Sequence, residues 1–567
     1  MKKKFIFFAT IFLFLALSGC STDNATIEVE SLPIYNYNDY YQLKNNTLDT
    51  YYIDSSNVPY VSVDGYIKAM DGMLDASKYS FSSNSLFREY VVKTNLENIP
   101  VSIIFDYGKD KILCLYDYVF QNTVDITDTI DYSFNLDGSA SDYYSGRTII
   151  FELAEYNFDM RYINGNCLVP FQIMNALFGG LNYDSMYYTG NAYYNTYFSL
   201  RYIDDYQSIF SDMKSNVNSI IDDEELRESN YNFICFYIDY FYGLKEEKNF
   251  EKFDDYLTDE IKQNLKSNDP LEYEAGYAQI VQKLNECHTS IHNYSYNYNG
   301  SSISFTEGDY AASNFVSLYS ARENLLPKAK EHYGNDLSNS IEIEGDTCYI
   351  FFSNFETGDT KDVKDENNNI LSTAYLYDTY YLFYKAFAEI EKSPTKINNI
   401  VVDLSVNGGG NAGAEYRALG FVCGSYLIGN RNSLSKIAVS YEYRTDTNND
   451  GLYNIDDGYD DYNWYILTSP STYSAANLFT HYSKINNSNV KVIGKKAGGG
   501  GCSILPLVMI DGTTLQISGI NQNVSISSKG TSYSHVILEN GPEVDYNLDY
   551  EYFYDRVYLN NFISNLK

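Results

Sequence analysis

The feature that most constrains the fold is an alternation of short apolar strands and amphipathic helices from about residue 341 onward. Runs rich in β-branched and aromatic residues predict strands in four places, at 348–352, 400–404, 464–467 and 490–493. Apolar positions three and four apart predict helices at 376–390 and 474–485. Strands that alternate with helices in this way predict an α/β domain, here followed by an extended antiparallel tail.

Two regions with other patterns precede this domain. Residues 28–204 alternate aromatic and polar residues between turn signals such as Asp64-Gly65, which predicts a mostly β region. Residues 205–340 instead predict a helical bundle. Its helical periodicity is seen in three segments, 205–221, 232–245 and 272–284.

Two stretches of the β region share a short motif. They read Asn-Val-Pro-Tyr-Val-Ser-Val at 57–63 and Leu-Val-Pro-Phe-Gln at 168–172. Both resemble the small stalk repeats of copper amine oxidase N-terminal domains. The resemblance implies that this region spaces the protein or presents substrate and does not carry the chemistry.

The N-terminus has the pattern of an export signal. Three lysines at 2–4 precede an apolar run at 5–17, which is too short for an ordinary membrane span. The run ends in Leu-Ser-Gly-Cys, which resembles a bacterial lipoprotein signal. That resemblance implies cleavage after residue 19 and acylation of Cys20, for instance by palmitate, so that lipid holds the protein on the outer face of the cell membrane. The alternative is an ordinary signal peptide that happens to end near a cysteine.

Composition narrows the partners. The net charge of −35 argues against nucleic-acid binding, which requires basic patches. It also argues against electrostatic adhesion to anionic lipid, so a lipid anchor would have to provide the membrane contact. A hydrophobic content of 44% is ample for packed cores. No Cys-x-x-Cys pair occurs, so a zinc site is not expected.

A glycine turn follows the predicted strand at 400–404. The sequence Asn-Gly-Gly-Gly at 407–410 places successive backbone amides at a tight turn, where glycine lets a substrate carbonyl come close. Such amides can stabilise a developing oxyanion. The alternative is a flexible loop that leads into the helix predicted at 415–420.

Ser474 opens a predicted helix directly after a predicted strand. The free amide of Ala475 and the helix dipole would favour negative charge at this point. A serine there can act as a nucleophile if a base accompanies it. The alternative is a serine that only caps the helix.

These two segments and the motif Glu-Cys-His-Thr at 286–289 occur in an order that resembles the tail-specific (carboxy-terminal processing) serine proteases. The similarity is greatest to the branch typified by the tricorn core protease, and it covers about 205–555. It implies an α/β (α+β) catalytic domain of the tail-specific protease or crotonase-like type. It also implies hydrolysis of peptide bonds through an acyl-enzyme.

The resemblance assigns roles to individual residues. It implies Ser474 as the nucleophile, His288 as the general base and Glu539 as a catalytic carboxylate. Cys287 stands where the tricorn-like branch has a serine, and Glu286 occupies its acidic position. The oxyanion hole would consist of three amides, those of Gly409, Gly410 and Ala475.

The sequence also departs from the family pattern. Many members have a catalytic lysine about 25 residues after the nucleophile. In this chain the corresponding position falls near Gly500, where there is no lysine. Ser405 replaces an arginine, and Asn477 replaces a glutamate. Two readings of His288 stay open, because it could be the base or a packed or solvent-facing histidine. His292, expected one helical turn later, is a rival base.

A separate motif resembles a calcium loop. Oxygen ligands would fall at positions one, three, five, nine and twelve, with glycine at position six. The alternative is a polar turn rich in Asx residues. The five candidate ligands are Asp446, Asn448, Asp450, Asn454 and Asp457. The predicted chemistry requires no cofactor, so calcium would have only a structural role.

Taken together, the sequence predicts a lipid-anchored, extracytoplasmic serine endopeptidase that cuts peptides or unfolded proteins. The alternative is a catalytically inactive relative that binds peptides or an apolar ligand, and adhesion through the β region could accompany either. The predicted regions are a signal peptide at 1–19, a tether at 20–27, the β region at 28–204, a helical domain with His288 at 205–340, and a catalytic domain at 341–567.

Overall fold

The computed structural model describes residues 26–96, 99–124, 135–215, 217, 223–296, 303–529 and 532–566. The predicted signal peptide and Cys20 lie outside these residues. None of the helices in the described ranges is long and apolar enough to cross a membrane.

Twenty-five strands are described. In chain order they are β1 (Ile27–Asn36), β2 (Thr47–Ile53), β3 (Tyr60–Ser62), β4 (Ser80–Asn84), β5 (Glu89–Leu96), β6 (Ile99–Asp106), β7 (Lys111–Cys114), β8 (Leu136–Tyr144), β9 (Ile149–Glu152), β10 (Arg161–Ile163), β11 (Asn166–Pro170), β12 (Asp184–Tyr188), β13 (Tyr193–Tyr197), β14 (Ser290–Asn293), β15 (Ser340–Glu344), β16 (Thr347–Phe351), β17 (Asn399–Asp403), β18 (Ser425–Asn432), β19 (Ala438–Thr445), β20 (Asn463–Thr468), β21 (Val490–Gly494), β22 (Cys502–Val508), β23 (Thr514–Lys529), β24 (Ser532–Ile537) and β25 (Tyr546–Asn547).

Thirteen α-helices are described. They are α1 (Val63–Ala69), α2 (Phe171–Met174), α3 (Tyr206–Ser215), α4 (Glu224–Phe241), α5 (Phe253–Tyr256), α6 (Asp259–Asn264), α7 (Pro270–Leu284), α8 (Ser313–Tyr333), α9 (Thr360–Val363), α10 (Thr379–Lys392), α11 (Ala412–Cys423), α12 (Ala475–Asn486) and α13 (Arg556–Ser564).

The N-terminal part is mostly β, as the sequence predicted. One sheet has the strand order β10-β11-β3-β2-β1-β13-β12, and a second has the order β4-β5-β6-β7-β9. The predicted tether does not extend to residue 27, because Ile27 already pairs with Ile53 across β1 and β2. Helices follow this part. Asp223 and Asp269 cap the N-termini of α4 and α7, because their carboxylates accept hydrogen bonds from first-turn amides.

The region predicted to be catalytic, residues 341–567, is called the catalytic part. It is built on a six-stranded sheet with the order β15-β16-β17-β20-β21-β25. All pairs except β15 with β16 are parallel. Residues of β17 alternate between two cores, since Ile400 packs against α10, α11 and α12, whereas Val401 packs toward α8 and α13. Helices therefore cover both faces, and the predicted α/β class is confirmed.

A further sheet joins the three sequence regions. Its order is β14-β23-β18-β19-β8, and β22 and β24 also pair with β23. β8 comes from the predicted β region and β14 from the predicted helical domain, so neither boundary separates independent sheets. A single hydrophobic core also runs from the N-terminal sheets through α4 and α7 to β22 and β23. This sheet brings the segment 286–289 next to the catalytic part.

Candidate active site

Ser474 occupies a strained turn between β20 and α12. Its backbone angles are φ 54° and ψ −126°, in a region that costs a non-glycine residue about 1–3 kcal/mol. Residues 471–473 and 475–480 are buried, whereas Ser474 is partly exposed. Its side chain makes no capping hydrogen bond, so the reading of Ser474 as a helix cap is wrong. The turn instead presents a serine hydroxyl at a helix N-terminus, as a nucleophile requires.

A second glycine turn holds Ser474 from behind. The Ser474 amide donates to the carbonyl of Gly499 over 2.8 Å. Gly500 has φ +97°, and a methyl group there would lie 2.8 Å from the Ser474 nitrogen. The family's catalytic lysine would fall near Gly500. A side chain on Gly500 would clash with the backbone of Ser474. A lysine at position 500 itself would therefore displace the backbone of Ser474.

The first glycine turn lies directly against the nucleophile. A methyl group on Gly409 would be 2.7 Å from the Cβ of Ser474, so only glycine allows this approach. The Gly409 amide, however, donates to Oδ1 of Asn407 over 2.9 Å. Gly409 is therefore not a free oxyanion donor, which corrects the prediction. In the described part of the chain the amides of Gly410 and Ala475 make no hydrogen bond, and they are the available pair.

His288 lies in the loop between α7 and β14 and is buried. Its ring packs edge-on against Tyr473, with 5.0 Å between ring centroids. Its Nδ1 lies 3.5 Å from Oγ of Ser518. Burial lowers the pKa of His288, although the nearby charge of Glu286 opposes the shift. A neutral imidazole thus contacts the residue that precedes Ser474.

Glu286 fixes the backbone around His288. Its carboxylate accepts hydrogen bonds from the His288 amide over 2.8 Å, from the Ser518 hydroxyl over 3.1 Å and from the Thr289 hydroxyl. The Cys287 amide donates to the Tyr473 hydroxyl over 3.0 Å. Burial and the charge of Glu286 raise the pKa of the Cys287 thiol, which keeps it protonated. Both residues therefore position the loop.

Glu539 braces the second glycine turn. Its side-chain Oε2 accepts a hydrogen bond from the Gly501 amide over 2.7 Å. The backbone carbonyl of Glu539 accepts one from the Gly500 amide over 3.0 Å. Burial, together with the charge of Glu286, raises the pKa of this carboxyl to about 7. The structure thus places Glu539 at the same site as the other predicted residues.

Other candidate bases lie elsewhere. His292 was expected one helical turn after His288, but it lies in strand β14, and its Nδ1 is 2.9 Å from the hydroxyl of Ser199. Burial lowers the pKa of His292 to about 4. Lys495 and Lys496 form surface ion pairs, the first with Asp549 over 2.9 Å. None of these groups belongs to the cluster around Ser474.

The structure adds residues that the sequence reading missed. Tyr473 contacts both His288 and Cys287, and Ser518 contacts both His288 and Glu286. Gln516 donates to the His288 carbonyl over 2.8 Å. Gln516 and Ser518 are two apart in β23 and so project from the same face. Their polar alternation was the only sequence signal, and it did not specify a partner.

Two departures from the family pattern have structural counterparts. Oγ of Ser405 donates to Asp403 over 2.6 Å, and a guanidinium nitrogen of Arg556 in α13 lies 3.8 Å from the other oxygen of Asp403. A positive charge thus reaches this carboxylate from the C-terminal helix, and not from position 405. Asn477 is buried and donates to the Leu538 carbonyl over 3.0 Å, next to Glu539.

The predicted calcium loop does not form a cation cage. Backbone amides occupy its carboxylates, since Asp446 accepts from Gly451 over 2.8 Å and Asp457 accepts from Thr447 over 2.8 Å. The other three candidates each accept a hydrogen bond from the amide two residues ahead, as in Asx turns. They are Asn448, Asp450 and Asn454. Among the described residues, no three acidic, histidine or cysteine side chains are grouped to hold a metal ion. These contacts are those of the alternative reading, a polar turn rich in Asx residues.

Comparison with known proteins identifies the catalytic part. Residues 346–526 match the model of a family described as Peptidase family S41. This segment contains the glycine turn at 407–410, Ser474 and Ser518. It does not include His288 or Glu539. No curated protein matches the sequence.

Solved structures show more distant likenesses. A protein from Parabacteroides merdae described as a peptidase is 15% identical, with 58% of this chain and 90% of that chain covered at a TM-score of 0.38. A lipoprotein from Streptococcus agalactiae is 15% identical over 53% and 86% of the two chains, at a TM-score of 0.29. The tricorn protease is 10% identical over 85% and 45%, also at 0.29.

All three TM-scores are below 0.5, so these likenesses do not establish a common overall fold. The family match is independent of them and lies on the segment with the strained serine and the glycine turn. Residues 346–526 are therefore similar to the family S41 peptidases, and the expected enzyme class, a serine-type peptidase with peptide or protein substrates, is confirmed.

Proposed function

We propose that this protein is a serine endopeptidase in which Ser474 is the nucleophile and His288 the general base. The observation that carries the proposal is the conformation of Ser474, which is left-handed and partly exposed within a buried segment. Nothing in helix capping requires that strain, because the hydroxyl caps no amide. Strain at a single residue is commonly retained where it serves the chemistry.

The oxyanion would be stabilised by two amides. When Ser474 attacks a peptide carbonyl, the oxygen becomes negatively charged, and the unpaired amides of Gly410 and Ala475 can donate to it. The Ala475 amide also lies at the N-terminus of α12, where the helix dipole favours negative charge. Gly409 contributes its lack of a side chain, which leaves room beside Ser474.

His288 would move the proton. A base must be neutral to accept the serine proton, and burial lowers the pKa of His288, so that it is neutral at pH 7. The imidazolium formed in the reaction would be stabilised by the nearby charge of Glu286 and would then protonate the leaving amine. Tyr473 and Ser518 would hold the ring in place from two sides.

The decisive experiment is labelling with a fluorophosphonate probe, which reacts with activated serines. We expect the wild type to be labelled and the variants Ser474→Ala and His288→Ala not to be. The matched controls are Ser488→Ala, an exposed serine just after α12, and His292→Ala, and both should be labelled like the wild type. Labelling that survives in His288→Ala would disprove its role as the base.

The second candidate is a catalytically inactive protein that binds peptides. One observation favours it, namely that among the described residues the His288 ring has a single side-chain hydrogen-bond contact, the long one of 3.5 Å to Ser518. Apo active sites often have such loose contacts, which tighten when substrate binds. Absence of labelling in the folded wild type, together with binding of unfolded peptide, would favour this second candidate.

We also propose an extracytoplasmic location with a lipid anchor at Cys20. The support is the lysine-rich start, the short apolar run and the Leu-Ser-Gly-Cys sequence at 17–20. In a bacterial host, wild-type protein should incorporate radiolabelled palmitate and fractionate with membranes, whereas Cys20→Ala should do neither. Membrane association of Cys20→Ala at the wild-type level would contradict the anchor.

A further inference from the structure

A cavity of about 660 Å³ lies where the three sequence regions meet. Its walls come from residues 147–156 of the β region, residues 239–252 at the end of α4 and beyond, and residues 433–436 of the catalytic part. Ser474 and His288 do not line it. Cavities of this size at the junction of domains are the usual places for small ligands.

The charges of the lining differ from those of the whole chain. The chain has 40 basic and 75 acidic residues, but the cavity is lined by four basic and three acidic ones. Lys245 pairs with Asp239, Lys436 with Glu246, and Lys252 with a glutamate outside the cavity. Arg147 is exposed and forms no ion pair with any residue that the structure describes. One guanidinium is therefore available to a ligand, as is the carboxylate of Glu251, which is exposed and likewise forms no ion pair with a described residue.

Three basic side chains lie around Glu246, which lines the cavity. Arg431 pairs with Glu246 over 3.1 Å, so one carboxylate serves two basic side chains, with His535 at 4.0 Å. Burial lowers the pKa of Lys436, the hydrogen bond and charge of Glu246 oppose this shift, and the charges of Arg431 and Arg147 add to it. An added anion would relieve this repulsion.

Aromatic rings form another part of the lining. Tyr156, Tyr240, Tyr242 and Phe250 all contribute. Lys252 lies over the ring of Tyr156 at 4.6 Å and Lys245 near that of Phe250 at 5.9 Å. A flat apolar group could pack against such rings, while an inorganic ion would leave them uncovered.

From this combination of charge and rings, we propose that the cavity binds a small organic anion, with its acidic group at Arg147 and an aromatic body against Tyr240 and Phe250. The acidic group can be a carboxylate, sulfonate or phosphate, because a guanidinium accepts each of them in the same planar geometry. This proposal does not depend on the catalytic role of Ser474.

The cavity is also connected to the active site. Tyr242 lines it, and burial, together with the charges of Glu286 and Glu539, raises the pKa of the Tyr242 hydroxyl. The amide of the next residue, Gly243, donates to the carbonyl of Ser518 over 2.9 Å. A bound ligand would thus contact a loop that is hydrogen-bonded to the strand beside His288.

The test uses 1-anilinonaphthalene-8-sulfonate, a fluorescent aromatic anion, titrated into the purified protein. We expect one molecule bound per chain, and an affinity about tenfold lower in Arg147→Glu. Arg147→Lys should restore part of the affinity. The matched control is Lys396→Glu, which makes the same charge change at an exposed position outside the cavity and should leave the affinity unchanged.

A neutral analogue gives the second comparison. 1-Anilinonaphthalene lacks the sulfonate and should bind at least about tenfold more weakly than the anionic probe. Equal losses in Arg147→Glu and Lys396→Glu would overturn the proposal, because they would show only a general charge effect. Equal binding of the charged and neutral probes would overturn it as well.

Discussion

The two halves of the candidate site are held in place by different means. On the nucleophile side, backbone hydrogen bonds and side-chain-free glycines bring together 407–410, 474–475 and 499–501. On the base side, individual side chains of β23 hold the segment 286–289 across a separation of 230 positions. The first half should therefore fail when a side chain is added to a glycine that touches Ser474, such as Gly409, and the second half when a particular polar group is removed.

The largest effect is expected from an added methyl group on the nucleophile side. Gly409→Ala would place a Cβ 2.7 Å from that of Ser474 at φ +111°. Displacing the oxyanion turn should lower kcat/KM by about 100- to 1000-fold, as loss of an oxyanion donor does. Peptide hydrolysis by the folded variant measures the effect.

The control lies one residue away. A methyl group on Gly408 would have no neighbour within 4 Å, and its φ is not in the left-handed region. Gly408→Ala should therefore keep activity close to the wild type. Similar losses in both variants would refute the difference between the two halves, since mere stiffening of the loop would then explain the result.

A smaller effect is expected on the base side. Ser518→Ala removes the hydroxyl that contacts Glu286 and His288, so the imidazole would lose one constraint. We expect kcat to fall about 10- to 100-fold with little change in KM, because displacement by about 1 Å has that consequence. Ser518→Thr, which keeps a hydroxyl, should recover part of the rate.

Ser527→Ala serves as the matched change, because Ser527 is exposed on the same strand. It should leave both kinetic parameters unaltered. A rise in KM without a fall in kcat for Ser518→Ala would assign Ser518 to substrate binding and remove it from the support of His288.

The pH dependence of stability tests the carboxylate between the halves. Burial and Glu286 raise the pKa of Glu539 from 4.5 to about 7, so the folded protein holds this proton more tightly than the unfolded chain. That stabilisation is fully present below pH 4.5 and is lost as the pH rises through 7. Relative to Glu539→Gln, the Tm of the wild type should fall over this interval.

Glu543→Gln provides the comparison, because Glu543 is a glutamate on the surface. Its curve of Tm against pH should run parallel to that of the wild type between pH 4.5 and 7. If the Glu539→Gln curve is parallel too, Glu539 titrates normally, and its tight placement behind the glycine turn is wrong.

The smallest effect is expected outside both halves. The carboxylates of Asp446 and Asp457 are engaged by backbone amides, so chelation should have nothing to remove. Scanning calorimetry with and without EDTA should give the same Tm. A lower Tm in EDTA that calcium restores would show a cation site that the loop geometry does not provide.

The nucleophile side was the more predictable from sequence. A helix predicted at 474–485 is Ala475–Asn486 in the structure, and the turn at 407–410 follows a strand as expected. These features depend on residues close in sequence, since a strand, a glycine run and a helix start each have a local signal. Even there, the reading missed that Asn407 takes the Gly409 amide, because amide and side chain compete at a distance of two residues.

The base side was less predictable for a physical reason. Periodicity shows that Gln516 and Ser518 share a face of β23, but it does not show which loop that face meets. The contact of Tyr473 with His288 likewise depends on how α7, β14 and β23 pack. The catalytic roles of these residues remain predictions, whereas their proximity is a property of the fold.

The long separation between His288 and Ser518 also bears on how the protein is made. During translation, residues 286–289 leave the ribosome well over two hundred codons before β23, and Glu539 follows later still. Until then His288 lacks its support, and the turn behind Ser474 lacks its brace. A nascent or prematurely terminated chain that lacks β23 and Glu539 is therefore unable to assemble the proposed site.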